Sequence, residues 1–322
     1  MFHHFSKDDL KICVGVKDHH TGKKIVKFAE NFCRRTGAVM HLVHSVGESY
    51  SGGWDVMTTA DTNMSDLLDL SMEERRGEAQ IMLFNLAETV DPEIDTEIAV
   101  VDGRAVPSLI AEARRSDSSL ILVSTETHGR SPLPGGWSTA LGLIKAAPLP
   151  VLVADHESDV DLAGPLRMLV ADDFTEACRS NIHNGVDLAT RLGQCHVNHV
   201  HVHELPVGEF KKVYQSVWPG RKQAEEEWDR VHDDFLKKME ERAPLHTDRL
   251  EDSGGRYTCE LECGEVEVGL DWISGRFEPD LMVFGRHRTL HRRPMHVGRV
   301  PFGWLFRQKG VFLILPEEEK KN

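Results

Sequence analysis

The residues with the clearest chemical potential form a basic loop between Gly285 and Gly298. The apolar run 281–284 ends at Gly285, which is typical of a buried strand that enters a turn. From Gly298 onward the chain can begin a helix, because Pro301 is tolerated in a first turn. A strand, a glycine-containing loop and a helix N-terminus direct free backbone N–H groups toward one point, which favours an anion. The candidate binding residues of this loop are Gly285, Arg286, His287, Arg288, Gly298 and Arg299.

A simpler interpretation of the same loop is a solvated basic segment whose glycines only permit tight turns. Arg299 falls at the predicted helix start, where a cation is unfavourable unless an anion or a carboxylate lies close by. The chain has a formal net charge of −14, so internal pairing with Asp or Glu is an alternative to a bound anion. That acidity also argues against nucleic acid as a general partner, because phosphate backbones require a basic face.

Length and composition bound the class of protein. The 322 residues, 40% of them hydrophobic, suffice for two domains with proper cores. No apolar run approaches the ~20 residues that span a bilayer, and the N-terminus lacks the apolar stretch of a signal peptide. The six cysteines include no CxxC pair, and Cys259 and Cys263 would lie about 13 Å apart on one strand, too far for a disulfide. We expect reduced cysteines, a cytoplasmic location and no membrane partner.

Apolar runs alternate with helical patterns along the chain, which predicts α/β domains with parallel, doubly wound sheets. The predicted strands are 11–16, 38–46, 95–101, 120–123, 151–154, 167–170, 197–203, 257–261, 281–285 and 311–315. The pattern repeats: Gly37 and Gly193 both close a predicted helix and are 156 residues apart, as are Ile12 and Met168. We therefore predict an internal duplication, with a first domain at 1–155, a linker at 156–165 and a second domain at 166–322.

Several short segments carry a resemblance to a known family, namely 11–16, 36–38, 103–109, 119–123, 127–131 and 147–153. In these segments each copy resembles a universal stress protein domain, so the chain resembles a tandem universal stress protein over almost all of 8–316. The resemblance implies two five-stranded sheets in tandem, each adenine nucleotide alpha hydrolase-like with flavodoxin-type layering. It also implies that the domains pair internally through their last strands as a pseudo-dimer, and it leaves room for a further homodimer.

Nucleotide-binding members of that family carry a Gly-x2-Gly-x9-Gly-Ser/Thr loop after the fourth strand, and an Asp at the end of the first strand. In the first copy, Glu126 stands at the first Gly and Trp137 at the third, so charge and bulk oppose a phosphate. Lys17 occupies the Asp position, with Asp18 one residue late. We therefore predict that the first site is degenerate and holds no nucleotide.

The second copy keeps more of the family pattern. Gly285 and Gly298 fit the ends of the loop with its length intact, although Arg288 and Arg299 replace the second Gly and the hydroxyl. Asp173 matches the first-strand Asp. The resemblance therefore implies that ATP, or another nucleotide or anion, binds in domain 2. The alternative for Asp173 is an ordinary stabilising carboxylate at a helix N-terminus.

His199, His201 and His203 alternate along a predicted strand and so share one face. Alternating imidazoles can hold a divalent metal. No Cys/His spacing of zinc-finger type supports a metal, and satisfied polar residues at a strand end are the alternative. We assign no metal ligands.

No set of nucleophile, base and acid stands out in the sequence. There is no Gly-x-Ser-x-Gly elbow, no His-Glu-x-x-His and no intact phosphate loop of the kinase or NTPase kinds. We predict a non-catalytic stress-response protein that binds a small anionic ligand or a protein partner. The alternatives are an enzyme that cleaves a nucleotide phosphate at the domain 2 loop, and a ligand-free scaffold.

Overall fold

Parallel strands alternate with helices throughout the part of the chain that the structure describes. The structure is a computed structural model that describes residues 5, 9–47, 63–125, 139–155, 162–203, 221–243, 247–286 and 310–316. The chain divides into a first unit, Asp8–Ser158, and a second unit, Asp159–Asn322 together with Met1–Lys7. Phe5 of this N-terminal segment is buried, and its carbonyl oxygen accepts a hydrogen bond from Arg191 Nε. The predicted domain boundaries and the predicted pairing of the two domains stay predictions.

The first unit is built on one parallel sheet. Its strands are β1 Lys11–Gly15, β2 Val39–Val46, β3 Thr96–Asp102, β4 Leu120–Thr125 and β5 Val151–Asp155. Its helices are α1 His19–Thr36, α2 Asn63–Ala87, α3 Ala105–Arg115 and α4 Thr139–Ala146. The strands pair in the order β3-β2-β1-β4-β5. The order reverses between β1 and β4, which is the topological switch point of a doubly wound sheet.

The second unit repeats this topology. Its strands are β6 Leu166–Ala171, β7 Cys195–His203, β8 Arg256–Cys263, β9 Leu281–Gly285 and β10 Val311–Leu315. Its helices are α5 Glu176–Leu192, α6 Arg221–Arg242, α7 Thr247–Asp252 and α8 Val266–Phe277. The strands pair in parallel in the order β8-β7-β6-β9-β10, with the switch point between β6 and β9. The predicted fold class is confirmed.

Local sequence explains where the helices that follow the first strands begin. Asp18 is the N-cap of α1, and its Oδ1 accepts a hydrogen bond from Thr21 N at 2.8 Å. Thr175 is the N-cap of α5, and its hydroxyl accepts from Cys178 N at 3.3 Å. Such caps satisfy N–H groups that have no partner within the helix, and each is worth about 1 kcal/mol. α1 ends at Gly37, whose φ of 69° is a left-handed conformation that glycine adopts without strain.

The core of each unit lies on both faces of its sheet. β9 and β10 are buried along their whole length, as expected for parallel strands covered by helices on both sides. Each fully buried aliphatic side chain contributes roughly 1.5–3 kcal/mol through removal from water. Among the described helices, none combines the length and the apolar character that crossing a membrane requires.

Strand registers establish which residues of the two units are equivalent. Ile12 lies opposite Leu120 in the first unit, and Met168 lies opposite Leu281 in the second. Because Ile12 and Met168 are equivalent, Ser124 occupies the position of Gly285. Glu126 lies outside the described residues, so its predicted placement at the first glycine of the loop stays a prediction.

Candidate functional site

The switch point of the second unit is the place where a doubly wound sheet is expected to bind a ligand. β6 ends there at Ala171 and is followed by Asp172 and Asp173. The neighbouring strand β9 ends at Gly285 and is followed by Arg286. Two acidic residues and one cation therefore follow adjacent strand ends, on the two sides of the point where the strand order reverses.

Asp172 is the centre of a buried polar cluster. Its side chain is 0% exposed, and its carboxylate accepts hydrogen bonds from Arg242 Nε at 2.7 Å and Nη2 at 2.9 Å. His199 Nε2 lies 3.1 Å from Asp172 Oδ2, and Tyr257 Oη lies 2.8 Å from His199 Nδ1. Because a carboxylate only accepts, Nε2 donates to it, and a neutral His199 then accepts the Tyr257 hydroxyl at Nδ1. The Asp172 cluster, comprising these four residues, joins β6, β7, β8 and α6.

Asp172 remains charged in this cluster. Burial raises the pKa of its carboxyl, but hydrogen bonds from His199 and Arg242 and the charge of Arg242 outweigh burial and hold the pKa below its ordinary value. The pair is therefore a buried salt bridge, which is costly to break because either partner alone would be an uncompensated charge. Asp172 is fully engaged with the protein and is not available to a ligand.

Arg242 also fixes the turn between β6 and α5. Its Nη2 donates to Thr175 O at 2.7 Å, and its guanidinium lies 5.3 Å from the centre of the Phe174 ring. Phe174 has a φ of 62°, a left-handed conformation that costs a non-glycine residue about 1 kcal/mol. The contacts of Arg242 offset this strain, so the last residue of α6 holds the turn that precedes α5.

Asp173, the predicted binding residue on this turn, is exposed to solvent. Its Oδ1 accepts hydrogen bonds from Thr175 N at 3.0 Å and from the Thr175 hydroxyl at 2.7 Å. These contacts match the alternative interpretation, in which Asp173 stabilises the start of α5. The exposed Asp173 side chain lies at the switch point, two residues after the end of β6.

Gly285 lies directly against the Asn181 side chain of α5. A Cβ at this position would overlap Asn181 Nδ2, so glycine permits Asn181 to keep its present position against β9. The adjacent Arg286 is buried, and its backbone N donates to Leu315 O at 2.9 Å. The other predicted residues of this loop lie outside the described residues; they are His287, Arg288, Gly298 and Arg299. The same holds for Glu126 and Trp137 of the first copy.

The three alternating histidines of β7 do share a face, and that face packs against α6. His201 Nδ1 donates to Asp172 O at 2.8 Å, and the His201 ring stacks on Phe235 with centroids 5.8 Å apart. Burial lowers the pKa of His201, although the hydrogen bond to Asp172 O works in the opposite direction. His203 also contacts Phe235, at 4.6 Å between ring centroids.

These contacts leave little basis for a metal at the histidines, since both ring nitrogens of His199 already have partners. Among the described residues, the single group of three potential ligands that lie close together is Asp172, Asp173 and Cys178. A cation there would compete with the guanidinium of Arg242 for the carboxylate of Asp172.

The first unit has a different polar arrangement. Val16 stands in place of Asp172, because Val16 N donates to Val43 O as Asp172 N donates to Val200 O. The polar cluster of the first unit lies between its sheet and α3, where His41 Nε2 meets Glu112 Oε1 at 2.7 Å. His41 Nδ1 lies 3.2 Å from Glu97 Oε2, close enough for an ion pair but not aligned as a hydrogen bond.

The sequence indicated only part of the Asp172 cluster. It placed His199 on a polar face of β7, but Arg242 is 70 residues from Asp172, and nothing in the local pattern couples the two. The available signals were the adjacent pair of Asp residues after β6, and an Arg in the last turn of a helix, where a cation is favourable.

Comparison with known proteins places the first unit in a family. Residues 10–155 match the model of the Universal stress protein family, which is less than half of the chain. The first unit therefore carries a universal stress protein domain, as the resemblance of the first copy implied. A search among curated proteins finds no match to the chain.

Solved structures resemble the chain over nearly its whole length. A universal stress protein from Archaeoglobus fulgidus has 13% identity and a TM-score of 0.58, covering 95% of this chain and 97% of its own. A putative universal stress protein from Pseudomonas aeruginosa has 16% identity and a TM-score of 0.56, covering 96% and 94%. At such identities the likeness shows the fold alone, and it extends that fold to the second unit.

Proposed function

We propose that this protein is a non-catalytic stress-response protein of tandem universal stress type, which binds a small anionic ligand at the switch point of its second unit. The observation that carries the proposal is the contrast between the two switch points. The second unit places an exposed Asp173 and a buried Arg286 after adjacent strands, whereas the first has Lys17 and Thr125 at the equivalent positions.

A nucleotide is the ligand that this arrangement supports best. An exposed carboxylate can accept hydrogen bonds from ribose hydroxyls, and cations after β9 can pair with phosphate groups. The predicted loop residues His287, Arg288, Gly298 and Arg299 would supply the remaining contacts, with free N–H groups at the helix start. The cytoplasm is the proposed location, which agrees with six free cysteines.

The described side chains support binding rather than turnover. Asp172 is neutralised by Arg242, and His199 has partners at both ring nitrogens. Cys259 Sγ lies 3.8 Å from His199 Nδ1, which suggests a nucleophile, but burial raises the pKa of this thiol to about 11. A nucleophilic cysteine needs a thiolate, so Cys259 is unsuited to covalent catalysis at neutral pH.

Titration of the purified chain with ATP, ADP and AMP by calorimetry tests this proposal. We expect one nucleotide per chain and no phosphate release. Asp173→Ala should weaken binding at least about tenfold, since a hydrogen bond to a charged group is worth roughly 1.5–3 kcal/mol. Lys17→Ala, at the equivalent position of the first unit, is the matched control and should leave affinity unchanged. Mass spectrometry of the denatured protein would identify a ligand that co-purifies.

Three outcomes would contradict the proposal. Absence of saturable binding at millimolar nucleotide would exclude a nucleotide as the ligand. Two bound nucleotides per chain would show that the first unit also binds nucleotide. Steady phosphate release, abolished by Asp173→Ala, would favour the alternative of a nucleotide-cleaving enzyme.

A further inference from the structure

A second candidate site lies at the opposite end of the second unit's sheet. There the amino-terminal ends of β6, β7 and β8 line a cleft of about 480 Å³. Its polar lining includes Arg167, His196, Arg256 and Asp280, and its apolar lining includes Leu166. The switch point lies at the carboxyl ends of the same strands, so the cleft is separate from the site proposed above.

Three basic side chains form a row across the sheet at this cleft. Arg167 is paired in register with His196, and His196 is paired in register with Arg256. Neighbouring strands lie about 4.8 Å apart, so the row spans about 10 Å from β6 to β8. Arg167 and Arg256 carry permanent charges on the same face of the sheet, two strands apart, with His196 between them.

The acidic residues of the described chain compensate only one end of this row. Arg167 Nη1 lies 3.1 Å from Glu278 Oε2, and its backbone N donates to Asp280 Oδ2 at 2.7 Å. Arg256 is exposed and forms no ion pair within the described part of the chain. Its nearest polar neighbour in the row is His196, whose pKa is lowered by burial and by the charge of Arg256.

His196 is held in a fixed position between the two arginines. Its Nε2 lies 2.9 Å from the Thr258 hydroxyl, and its ring meets the edge of Phe277 with centroids 5.0 Å apart. The imidazole cannot turn away from the row without loss of these contacts, so it stays close to Arg256, whose charge lowers the pKa of His196. An anion between the arginines would be attracted by both guanidinium groups.

The first unit shows that the fold does not require this basic row. Lys11, Val39 and Asp95 occupy the positions of Arg167, His196 and Arg256, because Lys11 pairs with Val39 and Met40 pairs with Thr96. Lys11 is neutralised there by Glu97, at 2.8 Å. At the position of Arg256 the first unit therefore has the opposite charge.

A glycine pair keeps the cleft open beside Arg256. Gly254 has a φ of 79°, and a Cβ on Gly255 would lie 2.6 Å from Cys195 O, so both positions resist a side chain. The β8 edge of the cleft is therefore bare backbone up to the guanidinium of Arg256.

We propose that this cleft is an oxyanion-binding site, in which Arg256 and Arg167 hold the carboxylate or phosphate group of a small ligand. Guanidinium groups suit both oxyanions, because their planar N–H donors match two acceptor oxygens at once. His196 lies between the two arginines as a neutral donor or acceptor. The site is independent of nucleotide binding at the switch point.

The test uses the full chain, with inorganic phosphate and succinate as probes and NMR titration of the His196 ring as readout. His196 is assigned by comparison with His196→Gln. Either probe should raise the pKa of His196, because a bound oxyanion offsets the charge of Arg256. Arg256→Gln should raise that pKa without any probe, and should weaken binding of both probes at least tenfold.

The matched control is Arg179→Gln, which removes an exposed arginine of α5 outside the cleft. It should leave both the affinity and the His196 titration unchanged. Probes that leave the pKa of His196 unmoved would overturn the proposal. Equal loss of affinity in Arg256→Gln and Arg179→Gln would also overturn it, since it would indicate a nonspecific charge effect.

Discussion

The ends of the first strands in the two units share a histidine hydrogen bond and differ in the side chain at that position. His44 Nδ1 donates to Val16 O at 2.9 Å in the first unit, and His201 Nδ1 donates to Asp172 O at 2.8 Å in the second. The shared bond involves a backbone carbonyl, so it does not depend on which side chain stands at that position. Both units therefore keep the histidine, while the side chain at the strand end is Val16 in one unit and a buried carboxylate in the other.

The two polar clusters also differ in their access to water. Glu112 of the first unit is 5% exposed, but its partner Arg115 is 71% exposed and remains hydrated. Asp172 of the second unit is 0% exposed and Arg242 only 12%. A surface cation regains water when its partner is lost, whereas a buried one does not. Removal of the carboxylate should therefore lower the free energy of unfolding more at Asp172 than at Glu112.

The largest effect is expected for Asp172→Ala. It leaves Arg242 and His199 without their acceptor, and we expect about 3–5 kcal/mol lower stability of the second unit. Urea unfolding with hydrogen exchange would measure this loss and assign it to a unit. Asp172→Val with Arg242→Leu, which restores the residue of the first unit and removes the unpaired cation, is the control. If the double variant is no more stable than Asp172→Ala, the buried charge is not the cause.

The pH dependence of stability also distinguishes the Asp172 cluster from its counterpart in the first unit. The pKa of Asp172 is lowered in the folded state, so its contribution is present above the unfolded value of about 3.9 and is lost as pH falls through the folded pKa. We expect the stability of the second unit to fall with pH below about 4, and Asp172→Asn to flatten that dependence. Unfolding at a series of pH values measures both slopes. An unchanged slope in Asp172→Asn would mean that other carboxyls dominate.

Gly285→Ala tests the difference at the fourth strands, where the first unit has Ser124. The added Cβ would overlap Asn181 Nδ2, so the Asn181 side chain must leave its position or β9 and α5 must separate, at a cost of about 1–3 kcal/mol. Asn181→Ala in the same chain should restore part of the loss. Gly275→Ala is the matched control, because nothing lies within 4 Å of its Cβ in an exposed helix, and it should be neutral or stabilising. Thermal unfolding of the three variants measures these differences in stability, and equal stability of Gly285→Ala and Gly275→Ala would contradict the expected overlap.

Glu112→Ala should have a smaller effect than Asp172→Ala. It leaves His41 buried without its Nε2 partner, which costs roughly 1–3 kcal/mol, while Arg115 returns to water. Glu112→Gln keeps an acceptor for His41 and should recover part of the loss. Urea unfolding of the first unit would measure both variants. A cost equal to that of Asp172→Ala would show that solvent access does not separate the two clusters.

The fold could be predicted from the sequence because each strand is marked by a local apolar run and the pattern occurs twice. Apolar runs such as 311–315 coincide with observed strands, and the spacing between the two closing glycines revealed the duplication. α8 was not predicted, because Val268 and Trp272 place large apolar side chains on its exposed side and blur the helical pattern. The first turn of α5 was also missed, since it is polar.

The candidate site was harder to predict from the sequence, because it depends on contacts between residues that are far apart along the chain. The predicted role of Gly285 was backbone access for an anion, and only the position of Asn181 shows that the glycine lies directly against a side chain of α5. The predicted role of Asp173 stays a prediction. Its neighbour Asp172 carries the strongest interactions of the region, and its partner Arg242 belongs to a helix that the sequence described only as amphipathic.

The smallest effect is expected for Tyr257→Phe, which removes one member of the Asp172 cluster without leaving a charge unpaired. The hydroxyl lies 2.8 Å from His199 Nδ1, and its loss should cost about 0.5–1.5 kcal/mol, because His199 keeps its bond to Asp172. Burial raises the pKa of Tyr257, so the phenol stays a donor and the cost should not vary between about pH 6 and 9. A double-mutant cycle with Asp172→Ala measures the coupling, which residues of one network should show. If the unfolding free-energy changes of the two substitutions are strictly additive, Tyr257 is not energetically coupled to Asp172. The Asp172 cluster would then comprise only Asp172, Arg242 and His199.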